Sequence, residues 1–309
     1  KRSTSSAPKK VPDKEMAALT MRRLAGAVGA EIFGAKMSEL SAPRVRELFL
    51  SHRVLVFRGQ DGMDPAQLQA FGESLGELHG HPIVAGEPGH PMVLRITREA
   101  AAPTTFGEVW HSDNSFMSKP SLGSVLAAVD IPPHGSDTLF SCQHTAYNML
   151  SPGLQTMLKS MRACHTASKA FSMDGRREED FKSGRYSGGD ALFAENYHPV
   201  VRTHPETGLP ALFVNEMFTS HFEGWTEKES APLLKFLFEH SAKAEFTCRV
   251  RWEPGTVVMW DNRSVMHFAL NDGAYLPHEE RHRREMIRVT LQGDAPFFEE
   301  ELHDHRSAA

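Results

Sequence analysis

The segment Val109–Phe116 reads VWHSDNSF and sets His111 and Asp113 two residues apart. On a β-strand, residues i and i+2 share a face, so both side chains can reach one metal ion. A third candidate ligand, His267, follows the distant run TVVMWDNRSVMHFA. Two imidazoles and one carboxylate with open coordination positions are the facial set of non-haem Fe(II) oxygenases, where O2 and a co-substrate bind together. The same donors can also hold a hydrolytic zinc. An HxD pair alone is more often a hydrogen-bonded surface pair, and a lone histidine is equally well a satisfied core residue. Most of the 17 histidines are expected to be surface or structural.

Charge context adds weight to the oxygenase reading. The run HEERHRREMIRVTLQG carries Arg281, Arg283, Arg284 and Arg288, with Arg288, Thr290 and Gln292 alternating along one strand face. Arginine stays charged when buried and binds carboxylates bidentately. A dicarboxylate co-substrate that chelates iron needs such a residue at its far end. Arg281 and Arg283 fit a solvated loop.

These residues must be positioned by a fold, and composition bounds which. The 309 residues allow one large domain or two small ones. Hydrophobic residues make up 40% and charged residues 24%, as in an ordinary soluble globular protein. A net charge of -5 gives no field that would draw the chain to nucleic acid. No apolar run approaches the roughly 20 residues that span a bilayer. Cys142, Cys164 and Cys248 are isolated, form no CxxC pair, and favour a reducing, cytoplasmic setting. The opening KRSTSSAPKK is basic and polar and lacks the apolar core of a secretory signal. Residues 1–15 are expected to be a disordered tail, and 16–309 a single domain. A small-molecule anion is the expected partner, with no nucleic acid or membrane, and nothing excludes a homo-oligomer.

Local patterns favour a mainly β fold with flanking helices. Ala27–Phe33 reads as a short strand and Val54–Phe57 as a fully buried one. Ser41 is expected to cap a helix running to about Ser51, with Val45, Leu48 and Phe49 on one face. Asp64-Pro65 looks like a cap followed by proline at the first helical position, with Leu68, Phe71, Leu75 and Leu78 as the apolar stripe. From residue 92 onward, short strands recur between turns: Met92–Ile96, Leu122–Val129, Thr138–Phe140, Pro199–Thr203, Ala211–Val214, Phe246–Arg251, Thr256–Trp260 and Met286–Leu291. One clear helix interrupts them, opened by the capping box Thr226-x-x-Glu229. This pattern suggests a jelly roll with helices packed outside.

The strings WHSDNSF, Asp137-Thr138, WDNRSVMH and RREMIRVTLQGD, in that order, resemble the taurine dioxygenase family, which includes aryloxyalkanoate dioxygenases and alkylsulfatase-type enzymes. The resemblance spans roughly residues 20–298. It implies a double-stranded β-helix, or jelly roll, and an enzyme that uses Fe(II), O2 and 2-oxoglutarate. It implies that His111, Asp113 and His267 ligate iron. It implies that Arg288 binds the far carboxylate of 2-oxoglutarate with the Thr138 hydroxyl as second donor, and that Arg284 lies near the carboxylate that chelates iron. The loop FALNDGAYLPHEERH before the arginines is longer than the family's usual one.

The same resemblance assigns a pocket. His81, in LHGHP, would pair with a substrate anion, protonated if charge is needed; His79 would be structural. Asn114 would face the substrate through its backbone N–H, and Phe171 and Phe218 would supply aromatic walls, with core packing as the equal alternative. Val84 and Gly107 depart from the taurine pattern, whereas ITREA (96–100) and FTCRVRW (246–252) resemble the phenoxypropionate-type branch. The expected activity is hydroxylation of a small organic anion at a carbon beside a heteroatom, with cleavage of the product, aryloxyalkanoates ranking before taurine, alkylsulfonates and alkyl sulfates. Competing readings are a jelly-roll binding or sensor protein without turnover, and a zinc hydrolase.

Overall fold

Strands whose residues alternate between two buried faces dominate the computed structural model, which describes residues 19–102, 107–171 and 193–300. The tail expected over residues 1–15 lies outside them. Numbered in chain order, the large sheet contains β1 (Thr20–Arg23), β2 (Ala30–Phe33), β3 (Val54–Phe57), β4 (Leu94–Arg98), β5 (Gly123–Asp130), β13 (Val257–Asp261) and β15 (Arg284–Leu291). Its seven strands run in the order β1-β2-β3-β13-β5-β15-β4. All neighbours are antiparallel except β2 and β3. A second sheet, β12 (Thr247–Val250), β6 (Thr138–Cys142) and β14 (Val265–Ala269), lies against its inner face.

The central strands are buried on both sides, which is why VLVF reads as an unbroken apolar run. Their outward residues, among them Leu55, Phe57, Val125, Val257, Ile287 and Val289, pack on helices α1 (Ala42–His52) and α2 (Pro65–Leu75) through Val45, Leu48, Phe49, Leu68 and Phe71. Their inward residues, Val54, Val56, Leu126, Val258, Trp260 and Met286, meet Phe140, Cys142, Cys248, Val250 and Val265 of the second sheet. Each such aliphatic side chain contributes roughly 1.5–3 kcal/mol on burial. The two facing sheets form a jelly roll. A further three-stranded sheet, β11 (Thr219–Phe222), β7 (Arg162–Thr166) and β8 (Glu195–Pro199), and the pair β9 (Val201–Thr203) and β10 (Pro210–Leu212), flank it. No described helix is long and apolar enough to cross a membrane.

The capping signals act as their chemistry requires. The Asp64 carboxylate accepts from the Gln67 N–H while the Gln67 side chain accepts from the Asp64 N–H. Thr226 and Glu229 do the same for the helix Glu227–Ser241. Three expectations are corrected. Leu78 lies beyond α2, whose chain leaves the helix at Gly76, and bridges to Leu291 instead. The expected strand Pro199–Thr203 is divided between β8 and β9. Among the described residues, three further short helices, α3 (Gln143–Asn148), α4 (Pro152–Lys159) and α5 (Ser168–Phe171), join the long one, α6 (Glu227–Ser241). They are too brief to carry a 3.6-residue stripe legible in sequence.

Candidate metal centre

His267 sits on β14 in register with Phe140 of β6, pointing between the two sheets. His111 is fastened beside it by reciprocal backbone bonds: the His111 N–H donates to the His267 carbonyl at 3.1 Å and the His267 N–H to the His111 carbonyl at 2.8 Å. Their ring centres lie 4.1 Å apart. The expectation that His111 and Asp113 project side by side from one strand is corrected. Asp113 lies in a turn in which Asn114 takes a left-handed conformation (φ 54°) and its carbonyl accepts from the Met117 N–H at 2.9 Å. The turn swings the carboxylate back, so Asp113 Oδ1 lies 3.9 Å from His111 Nε2 and 3.8 Å from His267 Nε2. One donor atom from each of the three residues lies within 4.8 Å of the others, and all three are buried.

Protonation states suit a metal. His111 Nδ1 is 2.7 Å from the Val109 carbonyl, which can only accept, so Nδ1 carries the proton and Nε2 presents its lone pair. Burial drives both imidazoles toward the neutral form, His267 well below the ordinary histidine range. Burial alone would raise the Asp113 pKa. Arg288 foremost, then the two imidazoles and the Ser124 hydroxyl, outweigh it and hold the carboxyl well below the usual carboxylate range.

Two neighbours not singled out from sequence fix the other carboxylate oxygen. Ser124 Oγ donates to Asp113 Oδ2 at 2.7 Å and Asn262 Nδ2 donates to it at 3.4 Å. Asn262 Oδ1 accepts from the Asp113 N–H at 3.1 Å and from Trp260 Nε1 at 3.0 Å. Their signals were a serine on the inward face of an otherwise apolar strand and the asparagine of the WDNR string. Gly107, at φ 91°, packs against His111, where an added Cβ would stand 3.1 Å from Cε1.

The arginines divide along β15. Thr290 stands opposite Ser124, so Arg288 is one inward position from the Asp113 level, and its NH1 donates to Asp113 Oδ1 at 2.9 Å. Arg284 lies four residues back along the strand, roughly 13 Å at strand rise. Its guanidinium is 5.5 Å from the Trp252 ring centre, and Trp252 Nε1 donates to Thr138 Oγ1 at 3.0 Å. Trp252 therefore brings Thr138 together with Arg284. Arg288 therefore stands at the carboxylate of the triad, whereas Arg284 and Thr138 both meet Trp252 further along the strand. The Nε atoms of both arginines are buried without a hydrogen-bond partner among the described residues. Each of these buried N–H groups still has a hydrogen bond to give, as an anion would accept.

His81 Nδ1 accepts from the N–H groups of Ile83 and Val84, both at 3.1 Å, which leaves the proton on Nε2. Burial first, then Arg288, push its pKa down to about 3. Of the two forms expected for His81, a hydrogen-bond donor or a protonated cation, burial favours the neutral donor. Phe218 is buried, meets the His111 ring edge-on at 6.3 Å, and packs with Phe116, Ile83 and Ala167. The Asn114 side chain is taken up by Ser121 Oγ at 3.1 Å, which also lies 3.1 Å from His79 Nε2. Phe171 ends α5, and its side chain lies outside the described residues.

Comparison with known proteins agrees with this architecture. The chain is 32% identical over 291 residues to an alkylsulfatase of Acinetobacter baylyi, covering 89% of this chain and 86% of that one. It is 33% identical over 276 residues to an alpha-ketoglutarate-dependent 2,4-dichlorophenoxyacetate dioxygenase of Cupriavidus pinatubonensis, covering 83% and 91%. A crystal structure of a taurine dioxygenase from Burkholderia xenovorans superposes with a TM-score of 0.74 at 32% identity, covering 91% of each chain. Residues 20–290, which carry the triad, Thr138 and both inward arginines, match the taurine catabolism dioxygenase TauD, TfdA family, and the chain belongs to that family.

Proposed function

We propose that this dioxygenase hydroxylates a small organic anion with an apolar body at a carbon beside a heteroatom, so that the product falls apart. Aryloxyalkanoates are the first candidates, and alkylsulfonates, taurine or alkyl sulfates the second. The co-substrate is 2-oxoglutarate and the metal Fe(II), in line with the alpha-ketoglutarate-dependent relatives. Together with O2 they supply the oxidising chemistry, with release of succinate and CO2.

In this reading His111 Nε2, His267 Nε2 and Asp113 Oδ1 hold the iron. The carrying observation is the buried meeting of these three donors with Arg288 at 2.9 Å from Asp113. Arg284 and the Thr138 hydroxyl take the distal carboxylate of 2-oxoglutarate, supported by their shared contact with Trp252. Arg288 faces the metal end and the anionic groups there. Ser124 and Asn262 keep Asp113 Oδ2 occupied, which leaves Oδ1 directed at the metal. His81 Nε2–H donates to the substrate anion as a neutral imidazole. Phe218, with Phe116 and Ile83 behind it, lies along the substrate body and excludes water. The Asn114 backbone N–H, next to Asp113, is a second donor toward substrate. A zinc hydrolase would have no use for the Arg284–Thr138 end.

The test is succinate formation under Fe(II), 2-oxoglutarate and O2 across phenoxyalkanoates, sulfonates, alkyl sulfates and neutral analogues. Phenoxyalkanoates are expected to stimulate most, and neutral amides or esters least. A preference for alkyl sulfates or taurine would move the substrate to the second class. Stimulation by neutral analogues equal to that by anions would sink the anion reading.

A further inference from the structure

Arg98 closes β4 and stands directly opposite Arg284 on the antiparallel neighbour β15. Directly paired residues of adjacent strands face each other with Cβ atoms roughly 5 Å apart, and like charges so placed repel. Two arginines set face to face on a sheet favour an anion between them. Among the described residues neither Arg98 nor Arg284 has a carboxylate within ion-pair distance, and the Nε atom of each is buried without a hydrogen-bond partner. Asp272 and Glu108 act on Arg98, and Asp137 on Arg284, from beyond ion-pair distance, and two of these acids are engaged by other partners. Asp137 pairs with Arg249 at 2.6 Å, and Asp272 pairs with Arg249 at 3.1 Å and accepts from the Ser136 N–H at 2.6 Å.

Arg98 is held ready rather than loose. Its NH1 donates to Asn271 Oδ1 at 2.6 Å, and its NH2 lies under Gly273, 3.3 Å from where a Cβ would stand. Asn271 and Gly273 belong to the long loop after β14, so that loop fixes the guanidinium at the Arg284–Thr138 end of the barrel.

We propose that Arg98 is a second guanidinium for the distal carboxylate of the 2-oxo diacid, gripping it from β4 while Arg284 grips it from β15. Like-charge repulsion between the two is then relieved only by an acid with a second carboxylate, which makes the pair a selector for diacids over 2-oxo monoacids. This rests on the co-substrate reading given above. Burial, then Arg98, bring the Arg284 pKa down to about 10, as expected for a cation facing another cation.

The test is calorimetric binding, without oxygen, of 2-oxoglutarate and of 2-oxopentanoate to the Fe(II)-loaded protein. The second acid has the same chelating end and chain length but no distal carboxylate. Arg98→Gln is expected to weaken 2-oxoglutarate roughly tenfold, the scale of one charge-assisted bond, and to leave 2-oxopentanoate unchanged. An unaltered ratio of the two affinities, whether both hold or both fall together, overturns the inference and leaves the co-substrate reading standing. Wild-type protein that does not bind 2-oxoglutarate overturns both. Should Arg98→Gln fail to fold, Arg98→Lys keeps stem and charge but loses the fork, and is expected to lower the ratio by a smaller factor.

Discussion

Replacing Ser124 by alanine tests how the carboxylate of the triad is aimed. The hydroxyl donates to Asp113 Oδ2 at 2.7 Å, inside a site where Asp113 is only 4% exposed. A hydrogen bond to a buried charged group is worth about 1.5–3 kcal/mol, and outer-shell partners of metal ligands typically change metal affinity about 10- to 100-fold. Asn262 Nδ2 stands 3.4 Å from the same oxygen and can take over part of the role. Ser124→Ala is therefore expected at the low end, about tenfold weaker Fe(II) or Mn(II) binding, and Ser124→Ala with Asn262→Ala well beyond the sum of the singles. Metal competition against a fluorescent chelator measures both, with thermal unfolding of the metal-free proteins as control. Wild-type metal affinity in the double variant would refute the reasoning, because the free carboxylate oxygen would then need no partner.

Three further outcomes are expected. Asp113→Asn and Asp113→Ala both abolish turnover, but Asp113→Ala also leaves Arg288 buried without its partner and loses about 3–5 kcal/mol of stability in denaturant titrations. Arg284→Lys raises the KM for 2-oxoglutarate more than that for the primary substrate, because lysine loses the planar fork; equal effects on both would return the role to Arg288. Stability falls on acidification below about pH 6.5. Burial holds His144 at about 3 and His198 at about 4, so between pH 6.5 and those values the unfolded chain takes up protons that the folded chain refuses. Each contributes up to roughly 1.4 kcal/mol per pH unit, read as a falling urea midpoint between pH 7.5 and 5. A flat midpoint over that range would contradict the buried neutral state.

Much of the site was legible because residue type alone restricts what it can do. Two histidines, an aspartate and two arginines in this order leave few chemistries, and VLVF or the Thr226 capping box leave few conformations. What escaped depends on register and turn geometry, which composition does not carry. Arg284 and Arg288 are four apart and fall on the same strand face by any reading. Only the pairing of Thr290 with Ser124 decides which of them stands beside Asp113. The turn at Asn114 was hidden because alternation on a strand would also have brought His111 and Asp113 together. Ser124 and Asn262 stayed unremarked because a lone serine or asparagine acquires meaning only from the carboxylate it meets.

The reciprocal backbone bonds between His111 and His267 also bear on how a metal would be captured. Residues 156 positions apart in the chain are held as a pair by an isolated antiparallel bridge, so little chain entropy remains to be lost in bringing the imidazoles together. Asp113 is carried on a turn, and its Oδ1 accepts from Arg288. A cation held there would compete with the Arg288 guanidinium for Oδ1, and an Arg288 released from that bond would be open to an anion. Metal loading and anion recruitment become coupled through a single carboxylate, so each should tighten the other.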